Sequence, residues 1–247
     1  MSYRFFISDY YSDKLYKIFT MNEQKLWLPG KGHHLKEVDS TNDWLKKNNP
    51  AVGDWVRADS QTQGRGRGLH QWHSPLGGLY MSVLIPCREP IILTSLAVSN
   101  AVVELCENCG YEVQVKWPND ILYRSKKCAG ILCEVLDEGV VAGIGINFSE
   151  KDLFQGASFL DNNQMSDELA KKLISLLSKW TSISVFEMDI QSKWIENRKN
   201  KQGNYLFGDR CFVGEILNID LRNNKVSIKM KNNRVESIPA TQLQELL

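Results

Sequence analysis

The sequence predicts an α+β protein: a mixed, largely antiparallel sheet with helices packed on it, followed by a small β-rich segment. Three observations lead there. Short runs of alternating apolar and polar residues lie close enough to pair as hairpins, as on either side of Asp137-Glu138-Gly139. Two stretches carry apolar residues at one-sided helical spacing: Leu96, Ala97, Ala101, Val102 and Leu105, then Leu169, Leu173, Ile174, Leu176, Leu177 and Trp180. After Gly203 the texture changes to short strand candidates separated by Asn-rich turns, Asn223-Asn224 and Asn232-Asn233.

Size and charge narrow the function classes. The 247 residues suffice for one large domain and one small one, and the net charge of +1 gives no global attraction to nucleic acid or anionic lipid. Cys87, Cys106, Cys109, Cys128, Cys133 and Cys211 are scattered, and the N-terminus lacks the order of a secretory signal. A reducing, cytoplasmic setting is the expectation. Cys106-Glu107-Asn108-Cys109 ends a helical pattern with no second pair or His cluster near it, so it reads as packing rather than metal or redox chemistry. No uninterrupted apolar run approaches the roughly 18 residues that span a bilayer.

In chain order, residues 1–33 read as an extension packed on the main domain, with a strand candidate at Arg4-Phe5-Phe6-Ile7 and an aromatic-rich stretch containing Tyr10, Tyr11, Tyr16 and Phe19. Asp9 and Asp13 argue against a mitochondrial presequence. A main domain over 34–202 and a small one over 203–247 follow. Ser40 or Thr41 is placed to cap a helix over Asn42 to Lys47. Strands are predicted from Val52 to Ala58 and from Leu79 to Ile85, with a helix over 94–109 that Gly110 terminates. Val113 and Val115 begin a strand that Pro118 stops, since proline cannot donate to a ladder. Strands around Ile131 to Val135 and from Val140 to Ile146 come next, then helices from Ser166 and over 187–200. Cys211 to Asp220, Lys225 to Met230 and Arg234 to Pro239 are the late strand candidates.

Between the strands ending at Ala58 and starting at Leu79 lies Gln61-Thr62-Gln63-Gly64-Arg65-Gly66-Arg67-Gly68, with Trp72 just beyond. Alternating glycines let backbone approach a ligand closely, and two fixed cations suit an anion. By itself the run fits a solvated or RNA-binding segment equally well. Its company decides: Glu37-Val38-Asp39-Ser40-Thr41-Asn42 upstream, then Lys116-Trp117-Pro118-Asn119-Asp120, Lys127-Cys128-Ala129-Gly130-Ile131-Leu132 and Gly143-Ile144-Gly145-Ile146-Asn147. In this order and spacing, from about residue 34 to 247, the chain resembles the biotin protein ligases, in a short form without the N-terminal helix-turn-helix that makes some of them repressors.

The resemblance implies a class II aminoacyl-tRNA synthetase-like catalytic domain and a C-terminal SH3-like barrel. It implies activation of biotin by ATP with Mg²⁺, transfer to a lysine of a carboxylase's biotin carboxyl carrier domain, and no DNA or membrane partner; a homodimer stays open. Ser40, Thr41, Asn42, Gln61, Gly64, Arg65, Gly66, Arg67, Lys127 and Gly130 would bind biotin. Arg67, Trp72, Lys116, Asn119, Asp120, Lys127 and Asn147 would bind ATP, with Asp120 on the metal and Trp72 against adenine. Lys127, Arg67 and Lys116 would be catalytic, because attack of a carboxylate on a polyanion needs positive charge where negative charge gathers. One departure stands out: Gly68-Leu69-His70 puts the glycine one place early and a histidine where the family has arginine. Three rival readings are a lipoate or octanoate ligase or transferase, a nucleic-acid-binding module, and a biotin-binding protein without ligase activity.

Overall fold

A computed structural model describes residues 19–21, 24–148, 166–182, 184–198 and 202–246. The strand candidate at Arg4 to Ile7 lies outside these. Short strands β1 (Phe19–Met21) and β2 (Gln24–Leu26) pair antiparallel ahead of the main sheet.

Seven strands form that sheet: β3 (Gly32–Val38), β4 (Trp55–Gln61), β5 (Gly78–Ile85), β6 (Gln114–Lys116), β7 (Asp120–Tyr123), β8 (Lys126–Leu136) and β9 (Gly139–Asn147), in the order β3-β4-β5-β9-β8-β7-β6. Only β3 and β4 run parallel, joined across helix α1 (Thr41–Lys47). The hairpin foreseen at Asp137 to Gly139 is present, with Leu136 opposite Gly139.

Helix α2 (Ile91–Asn108) packs on β8 and against helices α3 (Ser166–Thr181) and α4 (Glu187–Glu196), and α3 also packs on β5 of the sheet. Leu96, Val102 and Leu105 meet Val83, Ile144, Leu173 and Ile190 in one continuous core. By length and apolar content alone α2 passes for a membrane span, but 67% of it is buried inside the protein, as expected of a core helix. Cys106 is buried at its end and all six cysteines are free, in keeping with packing.

Local chemistry corrects some boundaries. β4 starts at Trp55 rather than Val52 because Gly53, at φ +96°, makes a turn first. α2 starts at Ile91 rather than 94 because Pro90 is its N-cap. β3 was not foreseen: as a sheet edge it is mostly exposed and lacks alternation.

The C-terminal part holds β10 (Gln202–Phe207), β11 (Arg210–Asp220), β12 (Lys225–Met230), β13 (Val235–Pro239) and β14 (Gln244–Leu246), all antiparallel in the order β13-β12-β11-β10-β14. The expected strands are there, but the sheet is open: β13 and β14 are its edges, and among the described residues no pairing closes a barrel. Its core residues Tyr205, Ile216, Val226 and Ile228 are continuous with the main core.

Candidate active site

A cavity of about 500 Å³ opens where the glycine-arginine loop crosses the face of β8 and β9 that carries Gly130 and Gly145. Its floor is a matter of register. Gly130 pairs with Gly145 across β8 and β9, and the Trp72 indole lies on both; a Cβ at either glycine would overlap the ring. Trp72 Nε1 is buried with no hydrogen-bond partner among the described residues. Gly145→Ala is therefore expected to lift the indole and weaken ligand binding at least tenfold, read by calorimetric titration of biotin and ATP; unchanged affinities would show that the indole's seat is immaterial.

The loop itself is a closed turn. Arg65 bridges Gln71, Gly66 N–H donates to His70 O (2.8 Å), and Trp72 N–H donates to Gly64 O (2.8 Å). Gly68 takes φ +60° at the tip, a conformation an L side chain resists, so the early glycine is where this turn needs it. His70 serves through its backbone, and Leu69 is fully exposed.

At one end of the cavity the polar groups form a chain. Ser40 caps α1, its Oγ accepting from Asp43 N–H. Gln61 Oε1 accepts from Thr41 N–H (2.8 Å), and Gln61 Nε2 donates to Ser74 Oγ (2.8 Å). Thr41 Oγ1 lies 2.8 Å from Ser82 Oγ, Ser82 donates to Asn42 Oδ1, and Asn42 Nδ2 donates to Glu134 Oε2 (2.7 Å). Glu134 also takes Lys46 (3.1 Å) and Arg65. Burial pushes the Glu134 carboxyl up, but the hydrogen bonds from Arg65, Asn42 and Lys46 outweigh it, leaving its pKa below the usual carboxylate range.

A carboxylate held lower in the folded chain adds stability that is full above its unfolded value, about 4.3, and is lost as pH falls through the folded one. Glu134→Gln is expected to flatten that acid-side loss. The check is the urea midpoint at about pH 3 against about pH 6, and an equal drop in native and variant would refute it.

At the other end are the cations. Strand alternation puts Gly130, Leu132 and Glu134 on one face of β8, and would put Lys127 on the other with Ala129 and Ile131. The register instead jumps from Ile121↔Ala129 to Leu122↔Lys127, leaving Cys128 as an extra residue, and this bulge returns Lys127 to the cavity face. Its Nζ lies 2.7 Å from Asp120 Oδ1 and 5.0 Å from the Trp72 ring centre. Lys116 faces Asp120, Lys127 and Glu245; burial lowers its pKa against the pull of the two carboxylates. Arg67 reaches across to Asn119 Oδ1 at 3.5 Å.

Ser40, Thr41, Asn42, Gln61, Arg65, Gly66, Arg67, Trp72, Lys116, Asn119, Asp120, Lys127 and Gly130 all line this one cavity. Gly64 and Asn147 do not. Gly64 is buried against Trp72 O and Ser74 Oγ, where a Cβ would overlap them, so it serves the loop's pairing. Asn147 ends β9 opposite Gly78, buried to 5% exposure. The Arg65 guanidinium turns to Glu134 and Asp43 (2.9 Å), both held by one of its terminal nitrogens.

Sequence reasoning missed Ser82, Glu134 and Glu245. Ser82 had a signal, a lone serine in an otherwise apolar and aromatic strand. Glu245, in a polar tail remote in sequence, had none.

The chain matches the family model described as the biotin/lipoate A/B protein ligase family over residues 35–149. It is 40% identical over 127 residues to the bifunctional ligase/repressor BirA of Bacillus subtilis, covering 47% of this chain and 39% of that one. Against the biotin--[acetyl-CoA-carboxylase] ligase of Mycobacterium tuberculosis it is 30% identical over 142 residues, 50% of this chain and 53% of the relative. The chain thus spans about two fifths to one half of these relatives' lengths. A solved biotin protein ligase from Aquifex aeolicus in complex with biotin and ATP superposes with a TM-score of 0.76 at 25% identity, covering 87% of this chain and 98% of that one.

Proposed function

We propose that this chain, a member of the biotin/lipoate A/B protein ligase family, is an ATP-dependent biotin protein ligase. It would join biotin to ATP as biotinyl-5′-AMP, releasing pyrophosphate, and pass the biotinyl group to a lysine of a carboxylase's carrier domain. The observation that carries this reading is a single cavity with a hydrogen-bonding chain at one end and converging cations at the other. A ureido ring fits the first end. Gln61 keeps an amide N–H without a partner among the described residues, and short polar side chains meet a buried polar ring at small entropic cost. The dithiolane of a lipoyl group would leave those groups unpaired, which favours biotin within the family.

In the first step the biotin carboxylate attacks the α-phosphate. Lys127 would touch both groups, holding them in line while its charge offsets the negative charge that builds up. Arg67 and Lys116 would bracket the remaining phosphates, with Asn119 holding Arg67 across the cleft. Asp120 fits a role on Mg²⁺, which takes one carboxylate and draws its other ligands from phosphate and water; there it would neutralise phosphate charge. No cluster of three acidic, His or Cys residues that would form a self-sufficient metal cage exists among the described residues. Trp72, on the cavity floor, would offer its face to adenine as the loop settles over the ligand. The five-stranded C-terminal sheet would act as the SH3-like unit of such a ligase.

The test is transfer of labelled biotin to an isolated carrier domain, alongside biotin-dependent ATP–pyrophosphate exchange. Labelling and exchange are expected; tight biotin binding with neither would make the chain a binding protein instead. Trypsin cleavage at Arg65 and Arg67 should slow when biotin and ATP are added together. Equal rates would discard the closing loop.

A further inference from the structure

Lys116, Asn119 and Asp120 stand on the least supported part of the main sheet. β6 is a three-residue edge strand, and Gln114 and Lys116 pair with Leu122 and Asp120 of β7. The amides of the alternate residues Val115 and Trp117 therefore point away from the sheet, where an edge strand leaves donors without a ladder partner. Both are taken up by distant parts of the chain. Val115 N–H donates to Asn197 O (3.0 Å), just past α4, and Trp117 N–H donates to Glu245 Oε2 (2.7 Å) on β14. The Trp117 indole adds a second tie, Nε1 to Leu243 O (3.2 Å).

Glu245 is itself fixed. Arg198 grips both of its carboxylate oxygens at 2.7 Å, and the same guanidinium donates to Tyr205 Oη (2.7 Å); the two side chains of the pair are 4% and 8% exposed. Tyr205 stands directly opposite Glu245 across β10 and β14. Glu245 lines the main cavity and is one of the two carboxylates that attract the Lys116 amine. A clamp of this kind exceeds what folding the C-terminal sheet requires, since its carboxylate reaches out of that sheet to an edge amide in the other.

We infer that Glu245, held by Arg198, is a positioning residue for the nucleotide half of the cavity: it fixes the turn from Lys116 to Asp120 and thereby makes ATP binding depend on the C-terminal sheet. The inference rests on the ligase reading only for the identity of the nucleotide. Glu245 touches no reacting atom. It acts by anchoring the Trp117 amide between Lys116, whose charge would meet phosphate, and Asp120, whose carboxylate would meet Mg²⁺, and by supplying a fixed negative charge beside Lys116. Biotin, bound at the opposite end by Thr41, Asn42 and Gln61, should not feel it.

Two variants of the full chain test this. Glu245→Asp keeps the charge and the arginine partner but draws the carboxylate back by one methylene, too short to hold Arg198 and the Trp117 amide together. The double variant Arg198→Met with Glu245→Gln leaves no buried charge unpaired and removes the charge facing Lys116. Calorimetric titration with ATP and, separately, with biotin is expected to show at least a tenfold weaker ATP affinity in both, with biotin affinity within twofold of native. In pyrophosphate exchange the KM for ATP should rise by the same factor while the KM for biotin holds. A proportional loss of both affinities would make the clamp merely structural, and an unchanged ATP affinity would remove the coupling; either overturns the inference. The titrations read ATP binding even in a chain that transfers no biotin, so failure of the ligase reading shows separately, as absent exchange in the native protein.

Discussion

Replacing Lys127 by alanine is expected to slow biotin-dependent ATP–pyrophosphate exchange by about 10²- to 10³-fold, the usual loss when one donor aimed at developing charge is removed. The geometry explains why this residue should matter more than its neighbours. Arg67 is exposed on a loop and Lys116 is shared among three charges, whereas Lys127 is carried on a long central-sheet strand and turned inward by a bulge. Its Nζ lies over the Trp72 ring and against Asp120. Lys127→Arg is the companion variant. It keeps the charge but replaces a compact ammonium with a planar fork, so it should recover only part of the rate. Exchange within threefold of native in Lys127→Ala would remove this lysine from the chemistry. Biotin affinity measured alongside separates a loss of chemistry from a loss of binding.

How far the site was legible follows from what local sequence can encode. Lys127, Arg67, Thr41 and Asp120 sit in short motifs whose residue types announce charge or hydrogen bonding, and the structure brings them to one cavity. The two glycines under Trp72 were visible as motif members, but their reason was not: it depends on Gly130 and Gly145 pairing across strands and on a loop from elsewhere covering them. The partners of Arg65 were not legible either: Asp43 and Glu134 hold its guanidinium, and nothing in the sequence sets those three side by side. The fold was read best where period is strong, in α2, α3, β5 and β9, and worst at the edge strand β3, which burial does not pattern. Glu245 lay beyond local reading altogether, because its function depends on a contact spanning 128 residues.

Arg198 offers the largest expected effect on stability. Arg198→Met would strip the Glu245 carboxylate, at 8% exposure, of its ion-pair partner and leave only the more distant Lys116 amine, and removing one member of a buried pair costs about 3–5 kcal/mol because the remaining charge is poorly compensated. Further losses are the donor to Tyr205 and the guanidinium stacked 5.5 Å from the Trp194 ring centre, itself edge-on to Trp117. Methionine replaces much of the volume, so the deficit should be electrostatic more than steric. Adding Glu245→Gln is the discriminating step. With no charge left to strand, and an amide oxygen still available to Trp117 N–H, most of the lost stability should return, measured as urea midpoints of the two single variants and the double. If the single variant Arg198→Met unfolds at the native midpoint, the pair is dispensable. If the double is as weak as Arg198→Met, the loss lies in packing around Trp194. Recovery of stability without recovery of ATP affinity would separate the two roles of this clamp: the ion pair is replaceable in holding the chain together, while the placed carboxylate is what the nucleotide turn depends on.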